Sequence, residues 1–452
     1  MKRLSPARRL EWSWILYDVG NSAFTLLVSA ILPIYFNQYL AANAGIGTTT
    51  AGSYLGFATA IVTLCVAVLS PIFGTLSDFS GYKRPIFMFF AVMGIIGCAA
   101  LGIPMPWLVF LIVFVLVKIF YSASLVFYDS MLVDVTSPER SDIVSSKGYA
   151  FGYVGSCIPF IASILIVNFS PLSTPVAILL AVGLNALWWL GFTLPLAKSY
   201  RQTHFVPRTP HAVRENFKRL FSVFSKKSDI VNKKGIILFL VAFFLYIDGV
   251  YTIIDMATTF GVGLGFDDTQ LVLALLLTQI IAFPAAIIMG KLAGKVRNDV
   301  LILICIVAYT GIALVAVFMT AEWQFWMLAC AVGLFQGGVQ ALSRSYFAKI
   351  IPPDQSGCLF GILDIFGKGA SFLGTLLSSI IMRTTGSVNL AAIPIACLLA
   401  IGIFVFLAAA KVNRPYLVQH AAKAAPSPAD RTEISANDVG VPVKTEQDHP
   451  LA

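Results

Sequence analysis

The segment Gly74-Thr75-Leu76-Ser77-Asp78-Phe79-Ser80-Gly81-Tyr82-Lys83-Arg84-Pro85 decides how the chain is read. It lies between two apolar runs, approximately 53–77 and 85–103, each long enough to cross a hydrocarbon layer that takes about 20 helical residues. It is therefore a short turn between two membrane spans. Gly74 lets backbones approach closely, and Gly81 suits a tight turn. Asp78 is placed to dock against the positive N-terminal end of a neighbouring helix. Lys83 and Arg84 would hold the loop on one side of the membrane. The plainer alternative is a loop that only sets topology.

Outward from this turn the same apolar pattern recurs along the whole chain. Of 452 residues, 58% are hydrophobic and 12% are charged, about half the charge of an ordinary soluble protein. That composition excludes a soluble enzyme, a disulfide-stapled secreted domain and a nucleic-acid binder. An all-α polytopic membrane protein is expected, because only internal backbone hydrogen bonding satisfies a chain in lipid. Twelve spans are predicted, at about 13–38, 53–77, 85–103, 106–128, 148–168, 174–196, 236–260, 269–290, 299–319, 323–343, 357–382 and 388–410. All but Lys118, Lys368 and Arg383 of the 31 lysines and arginines then fall on one face of the membrane. Positive loops stay cytoplasmic, so both termini and the central loop are expected there. No signal peptide is evident, because the run from Trp14 to Phe36 exceeds a signal core.

The loop 197–235 separates six spans (1–196) from six (236–410), and 411–452 reads as a disordered tail. Within the loop, Val213, Phe217, Leu220, Phe221 and Phe224 share one helical face. A helix lying on the anionic inner leaflet and a solvated linker are both open. The halves echo one another. Leu16-Tyr17-Asp18 resembles Leu245-Tyr246-Ile247-Asp248, Phe151-Gly152 resembles Phe360-Gly361, and the turn at Gly74–Asp78 resembles Gly290-Lys291-Leu292-Ala293-Gly294. Duplicated bundles place a binding site near the midplane between them.

Charges within spans are costly and need a partner or water. Asp18, Ser22, Thr25 and Ser29 fall on one helical stripe, and Asp248, Thr252, Asp255 and Thr259 repeat the spacing. These stripes either line a cavity or form a structural network. Lys118, one turn from Ser122, sits too deep to reach the surface and should meet a carboxylate or water. Gln336 and Gln340 mark span 10, with Arg344 at its inner end as an anchor or gate. Asp364 and Lys368 either neutralise one another at i, i+4 or face the route. Gly361, Gly367, Lys368 and Gly369 superficially suggest a phosphate loop, but the spacing is wrong and no Ser or Thr follows the lysine. The seven cysteines and four histidines form no metal-ligand pattern, and no metal or cofactor is expected. Asp129, Asp134 and Asp142 lie near a membrane face, where an embedded enzyme would need its cluster, but no histidine accompanies them.

The turn at Gly74, Asp78, Gly81, Lys83 and Arg84 resembles the signature loop between helices 2 and 3 of the major facilitator superfamily. Phe79 and Tyr82 stand where many members carry arginines, and Gly294 stands where the second copy's aspartate would be. A narrower resemblance, to the branch of fungal vacuolar amino-acid effluxers and their bacterial relatives, rests on three motifs. They are Trp14-x-x-Tyr17-Asp18-x-x-Asn21-Ser22-Ala23-Phe24, Gln336-Gly-Gly-Val-Gln340-Ala-Leu-Ser-Arg344-Ser and Phe366-Gly367-Lys368. The resemblance implies the major facilitator fold, with helices 1, 4, 7 and 10 around a central cavity, and suggests amino acids as substrate; Asn21 of the helix-1 motif is a further candidate for binding substrate or ion. The expected function is secondary transport of a small polar solute by alternating access, coupled to protons, by a monomer in a bacterial inner membrane. Lys118 or Lys368 would hold a substrate carboxylate, while Asp18, Asp248 or Asp255 would meet an ammonium group or bind the proton. A drug, peptide or siderophore exporter and a non-transporting receptor are the alternatives.

Overall fold

The computed structural model describes residues 5–207, 232–369 and 372–424. The first half holds α1 (Pro6–Ala41), α2 (Thr48–Ser77), α3 (Lys83–Ala100), α4 (Trp107–Ser130), α5 (Ser141–Phe169) and α6 (Thr174–Ser199). The second holds α7 (Lys233–Gly263), α8 (Asp268–Leu292), α9 (Asn298–Ala316) and α10 (Glu322–Ile350). It continues with α11, in two segments (Ser356–Gly369 and Phe372–Thr385), and α12 (Ala392–Ala424). Eleven helices among the described residues are long and apolar enough to cross a membrane. The remaining predicted span, 357–382, corresponds to the two segments of α11. Phe57, Leu64, Leu187 and Phe404 project outward from the bundle, as lipid-facing side chains do.

Several boundaries differ from the sequence reading. The first helix begins at Pro6, where Ser5 Oγ accepts from Arg8 N, so it projects about two turns beyond the expected span. Its far half is π-helical at Leu27–Ile31 and Phe36–Ala41, on either side of Pro33. Proline removes a donor and crowds the preceding turn, and a wider turn accommodates both effects. The last helix runs to Ala424, so 411–424 is helical instead of part of a disordered tail. Residues 425–452 lie outside the described residues, as does the proposed interfacial helix of the central loop. The loop is also shorter than 197–235, because α6 ends at Ser199 and α7 starts at Lys233.

Each half repeats one packing scheme. The first helix packs on α5 and α6, and α7 packs on α11 and α12. Gly20 makes the first approach possible, since a Cβ there would lie 2.9 Å from Phe192 Cβ, and Gly249 does the same against Leu399 at 2.5 Å. The halves meet along α2 with α11 and along α5 with α8. At these seams Gly74 is against the Gly357 carbonyl, and a Cβ on Gly290 would be 2.6 Å from Ser146 Cβ. The two glycine-led turns of the sequence echo therefore serve equivalent seams. We call the face carrying the start of α1, the α2–α3 turn and the α10–α11 turn the basic end.

Candidate functional site

A void lies between the halves, lined by Asp129 of α4, Tyr149 of α5, Tyr251 of α7, Gln340 and Arg344 of α10, and Asp364 of α11. Phe243, Ile247, Phe360 and Leu363 supply its apolar wall. Asp364 is oriented by Ser70 of α2, whose Oγ donates to Oδ2 at 2.7 Å. The void thus presents carboxylates from both halves, one guanidinium and two phenols. This combination can bind a small solute carrying both charge and apolar surface.

Arg344 forms the floor toward the basic end. It leaves the second half and enters an aromatic cage of the first, with its guanidinium carbon 4.6 Å from the Trp14 ring, 4.4 Å from Tyr149 and 5.4 Å from Tyr128. Nη1 donates to Asp129 at 2.8 Å, Nε to Ser145 Oγ at 2.9 Å and Nη2 to the Ser145 carbonyl at 3.0 Å. Asp18 is 3.8 Å from Nη2. Gly148 leaves room for this assembly, since a Cβ there would be 2.9 Å from Asp18 Oδ2 and 3.1 Å from Arg344 Nη2. Planar stacking together with forked hydrogen bonding is a task for arginine and not for lysine.

Below Arg344 the two seams are fastened separately. On one side the buried Asp78 carboxylate accepts from Gly357 N at 2.7 Å and Cys358 N at 3.0 Å. These are orphan donors at the first turn of α11, so the helix-end docking expected of Asp78 is present. Gly81 has φ of 75° and completes the turn. Lys83 does not hold the loop at the membrane surface as expected. It is fully buried, donating to Ser356 Oγ at 2.8 Å and lying 3.6 Å from Asp134. Arg84 bonds the Ala197 carbonyl near the end of α6, at 3.0 and 2.6 Å. On the other side, Asp142 at the start of α5 accepts from Asn298 Nδ2 and Ser345 Oγ, both at 2.6 Å, and pairs with Lys349.

A strap formed by residues 200–207 lies over the α2–α3 turn. Val206 N donates to the Asp78 carbonyl at 2.8 Å, Ser80 N to the Val206 carbonyl at 3.0 Å, and Gly81 N to Gln202 Oε1 at 3.0 Å. Asp134 anchors the strap by accepting from Tyr200 Oη, Thr203 Oγ1 and His204 N. Burial would raise the Asp134 carboxyl. The Lys83 ammonium and the bonds from His204, Tyr200 and Thr203 outweigh burial and hold it well below the usual carboxylate range.

The other candidates do not converge on one site. Asn21 bonds its own helix, with Nδ2 2.9 Å from the Tyr17 carbonyl. Ser22 faces the gap at Gly152. Thr25 meets Tyr121 Oη at 2.7 Å, and Ser29 bonds the Thr25 carbonyl. Lys118, 5.4 Å over the Phe114 ring, faces Asp255 of the other half closely enough for the charges to interact. Ser122 is buried in α4. Asp248 and Thr252 are fully buried against Gly374 in the second segment of α11. Gln336 and Thr252 line a second, mainly apolar cavity inside the second half, with Phe260, Phe325 and Met256. The Lys368 side chain lies outside the described residues. Asp129, Asp134 and Asp142, which the sequence offered as one cluster, serve three separate ion pairs with Arg344, Lys83 and Lys349. Tyr149, Tyr251 and Ser145 carried no sequence signal, since nothing local distinguishes a cavity tyrosine from a core one.

The sequence profile of the family described as "Vacuole effluxer Atg22 like" matches residues 6–414. The chain is 39% identical over 413 residues to an uncharacterized MFS-type transporter, YxiO, of Bacillus subtilis, covering 90% of this chain and 95% of that protein. It is 27% identical over 289 residues to Autophagy-related protein 22-1 of Neosartorya fischeri, covering 57% of this chain and 46% of that one. The match thus spans about half of the fungal relative. The fold is similar to the major facilitator transporter FucP in its outward conformation, with a TM-score of 0.67 at 13% identity, covering 90% of this chain and 99% of that chain. The duplicated bundles and the void between them are thus those of a major facilitator transporter, and the chain belongs to the Atg22-like vacuole effluxer family.

Proposed function

We propose that the protein carries an amino acid across a bacterial inner membrane by alternating access, coupled to protons and acting as a monomer. The observation that carries this reading is the void walled by both halves and floored by Arg344. The positive-inside tendency makes the basic end cytoplasmic, so this conformation is closed toward the cytoplasm. Rocking the halves would break the Asp78, Arg344 and Asp142 contacts and open the same void to the cytoplasm. Among the residues lining the void, Asp129 and Asp364 suit an ammonium group while Arg344 suits a carboxylate, a pairing that matches a zwitterion. A 100 mV potential supplies about 2.3 kcal/mol per charge and one pH unit about 1.4 kcal/mol, together enough for a gradient of a few hundredfold.

The apolar cavity in the second half supports a second reading, export of a bulkier drug, peptide or siderophore. A thermal-shift screen of purified protein against amino acids, peptides, sugars and nucleosides, followed by flux in proteoliposomes, separates these. Stabilisation and flux with amino acids alone are expected. A response to another class alone would overturn the amino-acid assignment, and binding without flux would identify a receptor.

A further inference from the structure

We infer that Asp18 is a proton-binding site whose release is tied to opening of the basic-end gate; this deepens the transporter reading and rests on it. The argument is a mismatch of charge. Asp134 has Lys83, Asp142 has Lys349 and Glu11 has Arg140. Asp18 and Asp129, by contrast, share Arg344 as their only ion-pair partner among the described residues. The guanidinium serves Asp129 and Ser145 with directed hydrogen bonds. Its 3.8 Å distance to Asp18 Oδ2 is too long for one. That oxygen is buried and accepts no hydrogen bond among the described residues.

A buried carboxylate oxygen without a donor is costly even with Asn21 and Tyr128 beside the group, and two carboxylates with one cation between them resolve the conflict when one binds a proton. Exposure selects which one. The Asp129 side chain is 30% exposed to the void and holds the short bond, whereas that of Asp18 is 10% exposed. No other charge relieves Asp18. The neighbouring helix α5 brings Ser145, Tyr149 and Tyr153, and α4 brings Tyr121, Tyr128 and Asp129. From α10 comes Arg344, and α6 has no ionisable group between Thr174 and Leu196. The turn Leu132–Val135 brings Asp134, already paired with Lys83. When α10 withdraws Arg344 and the seam hydrates, the carboxyl O–H bond of Asp18 breaks, the proton passes to water at the basic end, and a carboxylate remains. Asp18 regains a proton through the void before the halves close again.

Infrared difference spectra of the full chain in nanodiscs, in H2O and D2O, need no transported solute. Wild type minus Asp18→Asn should show the C=O band of a protonated carboxylic acid, and Asp18→Glu should keep a carboxylic-acid band at a shifted frequency. Alkaline titration should abolish it in step with a change in Trp14 fluorescence, identified by its absence in Trp14→Phe. A carboxylic-acid band that persists in Asp18→Asn, or one at the wild-type frequency in Asp18→Glu, overturns the assignment. In proteoliposomes given an equimolar radiolabelled amino-acid mixture, Asp18→Asn should lose the pH dependence of flux at least tenfold and Asp18→Glu should restore it. PH dependence equal to wild type in Asp18→Asn would also overturn the assignment. No flux in wild type would sink the amino-acid reading while leaving the infrared result standing on its own.

Discussion

Replacing Asp78 by asparagine should shift the conformational equilibrium of the transporter without unfolding it. The carboxylate accepts two backbone N–H bonds from the first turn of α11, and both cross between the halves. Bonds to a charged acceptor contribute about 1 kcal/mol more than neutral ones, and the helix dipole adds about 0.3–1 kcal/mol for a full charge at this position. Asparagine keeps one acceptor oxygen and loses the charge, so the closed state should weaken by about 2 kcal/mol, or roughly thirtyfold in the equilibrium. Cys358 is a native reporter, since it is buried beside Asp78 at the seam. In a chain with the other six cysteines replaced, maleimide labelling of Cys358 should accelerate by about thirtyfold in Asp78→Asn, following the open population. A parallel chain retaining only Cys305, buried inside the second half, should label at an unchanged rate. Labelling of Cys358 within twofold of the parent, or an equal rise at Cys305, would refute the reasoning.

The equivalent seams give a steric version of the same test. Gly74→Ala and Gly290→Ala place a Cβ into backbone and Ser146 contacts, so each should raise Cys358 labelling, while Gly183→Ala and Gly191→Ala, which face open space, should not. Arg344→Lys keeps the charge but loses the stacking and forked bonds within the aromatic cage; transport should fall at least tenfold with expression and thermal stability retained, measured by flux per reconstituted protein. Asp134 has a folded-state pKa below its unfolded value, so its contribution is present above about pH 3.9 and is lost as pH falls through the folded value. Limited proteolysis at 200–207 should therefore stay constant from neutral pH down to about 5 in wild type and rise only in strong acid. Asp134→Asn should be cut at neutral pH.

The legible parts of this protein are those that follow from local rules. Spans are readable because lipid permits so few backbone solutions, and Asp78 is readable because an acid within a glycine turn has only a helix end to meet. The role of Arg344 is decided by Trp14, Tyr128, Tyr149 and Ser145, which lie on three helices of the other half. No spacing along one helix encodes that cage. Asp134 reads as a loop acid until α3 and the strap bring Lys83, Tyr200 and Thr203 to it. The π-helical run in α1 is equally silent, since Pro33 announces a disturbance but not the register that relieves it. The stripe from Asp18 to Ser29 is real along the helix, yet its members divide between the gate cage and the Tyr121 hydroxyl. Helical periodicity fixes a face but not what each level of that face meets.

Under the proposed alternating access, the closure at the basic end must also be weak enough to open. Its two seams are fastened by different chemistry, a buried carboxylate on backbone donors at α2–α11 and a side-chain network with Lys349 at α5–α8. The first is shielded from salt, and the second is only partly so. If each contributes about 2 kcal/mol, their sum together with the Arg344 cage approaches the ~5.5 kcal/mol that moves a two-state equilibrium from one extreme to the other. Transport needs both states populated, so something must offset the closed state at the right moment. A solute in the void can do so by competing for Arg344 and Asp129, the residues that serve as both lining and lock. If the void is the solute site, its shared residues would couple occupancy to opening without a separate relay, because any group that bonds Asp129 removes an acceptor from the guanidinium that joins the halves.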